Sequence, residues 1–451
     1  MYCFSFLGSG FVRNVLRHAF KYFGGSCLIA GVGILMNKYY TAVFSPTDFG
    51  VLMLYFAIMQ FLQSVFSLGF DGAAQRVYFD YQERKPFHEF LGTLSLIIVG
   101  AILFGSVIAL FLENKVIAII GGSSQLYRLT VLGAIFLSGL KIWNSFAIND
   151  QKSSLVLRQN VVQTIANHGG SLALISIFGW GMIGRQIGIC LAYGLNLIAY
   201  LYDFVKEKKI ALRDLSFELP VLKKLLHYAI PSFSTVLITT GLSYVDRFLL
   251  QYYHGPEKVG LYALGYIVGQ ALSMVIEALS SALFPSVMKT LQDDYAAGIR
   301  TVKKFDKIFC GGLILSGLLI FFLRDFIVLL LSNKSYASAG DVVPFIVWAY
   351  VFGGMYKVAS QILTYHGIVW FYPALSVISY GLSSGLSLIL VPQYNMIGAA
   401  YAFFIGPFVY SFGVHYMCRS YYVPLRLLIA FYGGVGLAVS LYFYYRIVSI
   451  I

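Results

Sequence analysis

Apolar runs of about twenty residues recur along this sequence from residue 20 to residue 447, each long enough to cross a hydrocarbon core roughly 30 Å thick. Within hydrocarbon every backbone N–H and C=O must be satisfied by the chain itself, so segments of this kind are helices. Composition removes the alternatives. Hydrophobic residues make up 59% of the chain and Asp, Glu, Lys and Arg only 11%, against roughly 45–50% and 25% in soluble domains. A water-soluble protein of this length could not cover itself with so few charges, which excludes a soluble enzyme, a nucleic-acid-binding domain and a disordered chain. The expected fold class is an all-α polytopic membrane protein.

Thirteen spans are read, among them 20–43, 50–70, 126–148, 225–253, 259–285, 308–331, 343–365 and, last, 425–447. With the N-terminus on the cytoplasmic side, the inner connections collect more than twice as many Lys and Arg residues as the outer ones, the bias that sets membrane topology. The formal net charge of +13 therefore reflects orientation, and no nucleic-acid partner is expected. Arg13, Arg17 and Lys21 precede the first span and mark an uncleaved signal-anchor. The longest polar connections, 206–224 and 288–307, both fall on the inner side and are too short for a soluble domain. Five Cys lie far apart without a CxxC pair, so neither a disulfide framework nor a metal site is expected. No GxxxxGK[ST] nucleotide motif is present, and no cofactor is expected.

The sequence also repeats itself. Asp48-Phe49-Gly50 opens the second span and Lys258-Val259-Gly260 the eighth; Phe136 with Leu140-Lys141 in span four matches Phe352 with Tyr356-Lys357 in span ten. Six helices per unit, an even number, give both units one orientation. This predicts two parallel six-helix bundles around a central cleft, as in transporters built from parallel repeats. The N-lobe would cover 1–205 and the C-lobe 225–420, joined by a cytoplasmic linker over 206–224, with one additional C-terminal helix in 421–451.

Phe44-Ser45-Pro46-Thr47-Asp48-Phe49-Gly50, followed by Ser67-Leu68-Gly69-Phe70-Asp71 and Arg76, resembles the first-half signature of the polysaccharide-transport (O-antigen flippase type) family. Tyr228-Ala229-Ile230-Pro231, Val245-Asp246-Arg247 and Val259-Gly260-Leu261-Tyr262 resemble its second-half signature. The family belongs to the superfamily of MATE-type drug/cation exporters and the peptidoglycan lipid flippase. The resemblance implies a flippase that moves an undecaprenyl-diphosphate-linked oligosaccharide from the inner to the outer leaflet of a bacterial plasma membrane by alternating access, driven by ion coupling or by a gradient maintained as the product is consumed outside. It implies a lipid-linked oligosaccharide and membrane lipids as partners, polysaccharide polymerase or assembly proteins beside them, and a monomer that is not an enzyme.

Ionisable groups inside spans are costly and mark candidate sites. Lys141 and Lys357 lie at matching depth in repeat-related helices, roughly 12–13 Å in at 1.5 Å per residue. They could clamp a diphosphate, or snorkel to the headgroups. Glu277 is a candidate for ion coupling, or for a structural pair with Lys357. Asp71 and Arg76 are candidates for a cytoplasmic gate. Asp246 and Arg247 are expected near the outer end of span seven, pointing apart because neighbours on a helix do not face each other; they serve gating or an inter-helix bridge with an interfacial arginine. Arg13 and Arg17, at i and i+4, either recruit the substrate or anchor the first helix. Two other functions share these features: a MATE-type drug/cation antiporter, which needs acids facing a cationic drug, and a membrane glycosyltransferase or polymerase, which needs a carboxylate pair or a large outer loop.

Overall fold

A computed structural model describes residues 31–81, 84–150, 152–208, 215–368, 370–421 and 425–448, and no strand occurs among them. The helices are α1 over 31–43, α2 Pro46–Ser67, α3 Phe70–Val77, α4 Arg84–Phe111, α5 Glu113–Ile120, α6 Ser124–Asn149, α7 Ser153–Ser176 and α8 Gly181–Lys208. They continue with α9 Leu219–Ser243, α10 Val245–His254, α11 Pro256–Asp293, α12 Tyr295–Leu331, α13 Val343–Tyr365, α14 Tyr372–Met417 and α15 Leu425–Val448. Among the described residues nine helices are long and apolar enough to cross a membrane. This is an all-α multi-pass membrane protein. Helix α14 carries two of the expected spans in sequence, separated by a non-helical backbone at Asn395 (φ 56°, ψ −140°).

Two expectations are corrected. The connection over 288–307 is helical on both sides of a single intervening residue, Asp294, whose carboxylate accepts a hydrogen bond from the Ala297 N–H at 3.0 Å and caps α12. Basic residues on the exposed face of that helix gave the segment its loop-like composition. Span seven is not one helix either; it breaks at Tyr244 into α9 and α10.

Contacts gather the described residues into two compact units, one within 48–244 and one within 1–47 and 245–451. Each unit takes in the first helix of the other sequence half. In the first unit, α9 lies along α3, and the contact requires Gly69. Its backbone is left-handed (φ 73°), and a Cβ there would stand 2.6 Å from the Ala229 carbonyl oxygen and 2.6 Å from the Phe233 nitrogen. The stretch before α9 is pinned as well, because the Glu218 N–H donates to Thr93 Oγ1 at 2.9 Å. Beneath lies an aromatic core in which Phe146 stacks on Phe204 with centroids 5.5 Å apart and Trp143 meets Phe204 edge-on at 4.7 Å, the offset and edge geometries that aromatic quadrupoles favour.

In the second unit, α1 is tied to the end of α12. Lys38 Nζ donates to the Leu329 and Ser332 carbonyls at 2.9 and 2.5 Å, a cation on the carbonyls that a helix C-terminus leaves without intrahelical partners. Tyr336 Oη closes the same joint by donating to the Phe44 carbonyl at 2.9 Å. Phe352 on α13 centres the core, with ring centroids 5.0 Å from Phe408 and 5.2 Å from Tyr432.

The break at Tyr244 overturns the expectation that Asp246 and Arg247 point apart. Asp246 sits in the first turn of α10, where its Oδ1 accepts the Arg247 backbone N–H at 2.8 Å and lies 3.6 Å from the Arg247 guanidinium. The rule that neighbours diverge holds inside a helix, whereas a first-turn carboxylate folds back on its own backbone. Neither residue is interfacial, with 5% and 6% of their surfaces exposed. Tyr262 Oη donates to Asp246 Oδ2 at 2.5 Å, joining α10 to α11, and the guanidinium lies over the Tyr266 ring, 4.4 Å from its centroid.

Stability outcomes follow from these joints and from an exposed ion pair. Gly69→Ala is expected to cost about 1–3 kcal/mol through the left-handed backbone alone, and more where its methyl meets α9; Gly100→Ala, with nothing within 4 Å, serves as the neutral control in thermal unfolding in detergent. Asp246→Ala leaves Arg247 buried without its carboxylate and is expected to cost about 3–5 kcal/mol. Removing Arg158, two-thirds exposed in its 3.3 Å pair with Asp203, is expected to cost about 1 kcal/mol or less.

Candidate functional site

Lys141 lies on α6 in the first unit. It keeps part of its surface open, and Nζ donates to Gln63 Oε1 on α2 at 2.5 Å. The Asp71 carboxylate on α3 acts on the same ammonium through space. The hydrogen-bond partner is thus a neutral amide, which orients the cation without cancelling its charge. Gln63 itself is 2% exposed; it carries no charge to single it out in the sequence, and it shares its span, 50–70, with other uncharged polar residues, Gln60, Ser64 and Ser67.

Lys357, on α13 in the second unit, has a different setting. Its Nζ donates to Glu277 Oε1 on α11 at 2.9 Å, with side-chain exposures of 21% and 63%. The pairing weighed from the sequence is therefore present, and Lys357 is locally neutralised. The repeat thus places on each span-four helix a lysine bonded to a side chain of a neighbouring helix, an amide in one unit and a carboxylate in the other. Beside the Lys357 pair a cavity of about 370 Å³ opens along α13 and α14, with Ser280, Tyr356, Lys357 and Tyr410 on its wall. Tyr356 and Tyr410 meet edge to face with centroids 4.8 Å apart.

The remaining candidates are dispersed. Asp71 and Arg76 occupy the first and last turns of α3, an acid at the positive and a base at the negative end of the helix dipole. The Arg76 guanidinium also lies over the Tyr228 ring, 5.6 Å from its centroid. Asp246 and Arg247 form the buried joint between α10 and α11 described above. Arg13 and Arg17 fall outside the described residues.

One ionisable group escaped the sequence reading. Asp306 falls in the expected inner connection, yet it is 4% exposed within α12 and accepts from Cys310 Sγ at 3.5 Å. Val302, Asp306, Phe309, Leu313 and Gly317 form the buried face of this helix. Their spacing of three and four residues carried the signal, which the surrounding lysines obscured. Among the described residues, no group of three His, Cys, Asp or Glu is placed to hold a metal ion.

The structure is similar to an inward-facing multidrug resistance MATE family transporter of the MOP superfamily, with a TM-score of 0.69 at 15% identity over 89% of this chain and 97% of that one. It is similar to the lipid II flippase MurJ in an inward closed conformation, with a TM-score of 0.69 at 18% identity over 90% and 87%. A MOP superfamily transporter from Pyrococcus furiosus, noted for reversed polarity of its binding pocket, gives 0.61 at 15% identity over 92% and 96%. At these identities the likeness is one of fold. No curated protein sequence matches the chain. Residues 15–291 match the family described as polysaccharide biosynthesis protein. That match spans more than half of the sequence, and the chain belongs to the polysaccharide biosynthesis protein family.

Proposed function

We propose that this protein moves a lipid-linked oligosaccharide, an undecaprenyl-diphosphate repeat unit, from the inner to the outer leaflet of a bacterial plasma membrane. The observation that carries the reading is Lys141, a cation inside an apolar span whose hydrogen-bond partner is a neutral amide. A diphosphate cannot cross hydrocarbon bare, because removing charge from water without a partner costs several kcal/mol or more. A lysine ammonium is a compact point charge suited to phosphate. Gln63 fixes its direction and leaves its charge to the substrate. The family membership and the fold shared with the lipid II flippase MurJ support the same reading.

Transport proceeds by alternating access, without catalysis and without a bound cofactor. The Glu277–Lys357 pair is the proposed place for ion coupling, since protonating the exposed carboxylate releases the ammonium beside it. Arg13, Arg17, Asp71 and Arg76 are assigned to recruiting the substrate and gating on the cytoplasmic side, where the N-terminus lies. Drug or cation antiport is the second reading, favoured by the likeness to a MATE transporter and by the 63% exposure of the Glu277 carboxylate. Lys141 opposes it, because an intramembrane cation repels a cationic drug.

The test is flipping in reconstituted vesicles, scored by the access of an impermeant glycan-modifying reagent to a lipid-linked oligosaccharide. Wild-type protein is expected to expose the glycan. Lys141→Ala is expected to slow exposure at least about tenfold, the equivalent of one charge-assisted hydrogen bond of about 1.5–3 kcal/mol, with partial recovery in Lys141→Arg. An unchanged rate in Lys141→Ala removes the phosphate role from this residue. No exposure by wild-type protein, together with uptake of a cationic dye, replaces the proposal with the antiporter.

A further inference from the structure

The cavity along α13 and α14 has a chemical character of its own. Tyr356, Ser360 and Thr364 recur every four residues and so share one face of α13, with Gln361 beside them; Tyr372 and Tyr410 come from the two limbs of α14. Three of the six hydroxyls on the described wall donate their hydrogens to the backbone. Ser360 Oγ donates to the Lys357 carbonyl at 2.7 Å, Thr364 Oγ1 to the Ser360 carbonyl at 2.8 Å, and Tyr372 Oη to the same carbonyl at 3.1 Å. A hydroxyl that has donated its hydrogen keeps its lone pairs as acceptors. Gln361 adds another acceptor: it is 5% exposed, and its Oε1 has no hydrogen-bond partner among the described residues. A buried carbonyl oxygen in that condition costs free energy until something donates to it.

Much of the lining therefore presents acceptor oxygens and tyrosine faces, while Lys357, the one cation among its described residues, is balanced by Glu277 at 2.9 Å. A phosphate, itself an acceptor, finds little here. The complementary ligand is neutral and rich in O–H donors, with an apolar face that lies flat against a ring. A sugar meets all three conditions, its hydroxyls donating around the edge and its C–H face packing on the aromatic side chain. The volume of about 370 Å³ lies within the range of small-ligand sites, roughly 300–1,000 Å³.

We propose that this cavity is a sugar subsite that holds a neutral ring of the transported headgroup, with Gln361, Ser360 and Thr364 accepting from its hydroxyls and Tyr356 and Tyr410 packing against its face. The inference rests on the flippase reading and adds the specificity for the glycan, separate from the phosphate role of Lys141.

The test compares binding of two probes to the full-length protein in nanodiscs: undecaprenyl diphosphate alone, and the same lipid carrying a neutral disaccharide. Wild-type protein is expected to bind the glycosylated probe at least about tenfold more tightly, as several hydrogen bonds of about 1 kcal/mol each require. Gln361→Leu, and Thr364→Val on the exposed rim, are each expected to remove part of that preference and leave affinity for the bare lipid unchanged. Thr364→Val keeps the shape of an exposed side chain and reads the subsite even if Gln361→Leu fails to fold. Equal affinity of wild-type protein for the two probes overturns the subsite while transport of the lipid stands. An equal loss for both probes in the variants also overturns it. Binding of neither probe by wild-type protein overturns both the subsite and the flippase reading.

Discussion

A polar group in hydrocarbon must find its partner within the protein, and this requirement shapes the molecule at every level. It makes the spans helical, since only there does each backbone group bond within its own segment. It explains why Lys38 and Tyr336 close on carbonyls at the joint of α1 with α12, and why Asp246, Arg247 and Tyr262 form one connected node. Polar groups left without a full answer then become informative. Lys141 has an amide where Lys357 has a carboxylate, and the Gln361 carbonyl oxygen has no partner among the described residues. Each of these departures points to chemistry supplied by a ligand.

The two repeat-related lysines show how one architecture divides its tasks. A lysine paired with an amide retains its charge for an anion; a lysine paired with a carboxylate forms a neutral wall that protonation can open. Beside that wall the acceptor-rich cavity favours hydroxyl donors over phosphate. A headgroup containing both a diphosphate and sugars offers a partner to each kind of surface, which a simple drug cation does not.

The helices and their order were legible in the sequence because the bilayer imposes a length and an apolarity that few other constraints produce. The lysines of spans four and ten were legible for the same reason, standing out as charges in apolar runs. What escaped depended on local geometry without a composition signal. Gly241, three residues before the break at Tyr244, lies inside one continuous apolar run, so Asp246 reads as a residue near the outer end of a single helix rather than a first-turn carboxylate. Lysines around Asp306 made a buried helix face resemble a connection. Gln63 and Gln361 carry no charge, and their importance comes from what they touch or fail to touch. The placement of α1 and α9 in units built mainly from the opposite sequence halves depends on side-chain bonds from Lys38 and Tyr336 for α1 and on close backbone packing at Gly69 for α9, which no periodicity reports.

The most direct measurement of the central claim is the leaflet in which lipid-linked oligosaccharide resides in living cells after this protein is depleted. The expected result is accumulation of complete repeat units facing the cytoplasm, relieved when the protein is restored. An unchanged distribution, or accumulation on the outer face, would contradict it.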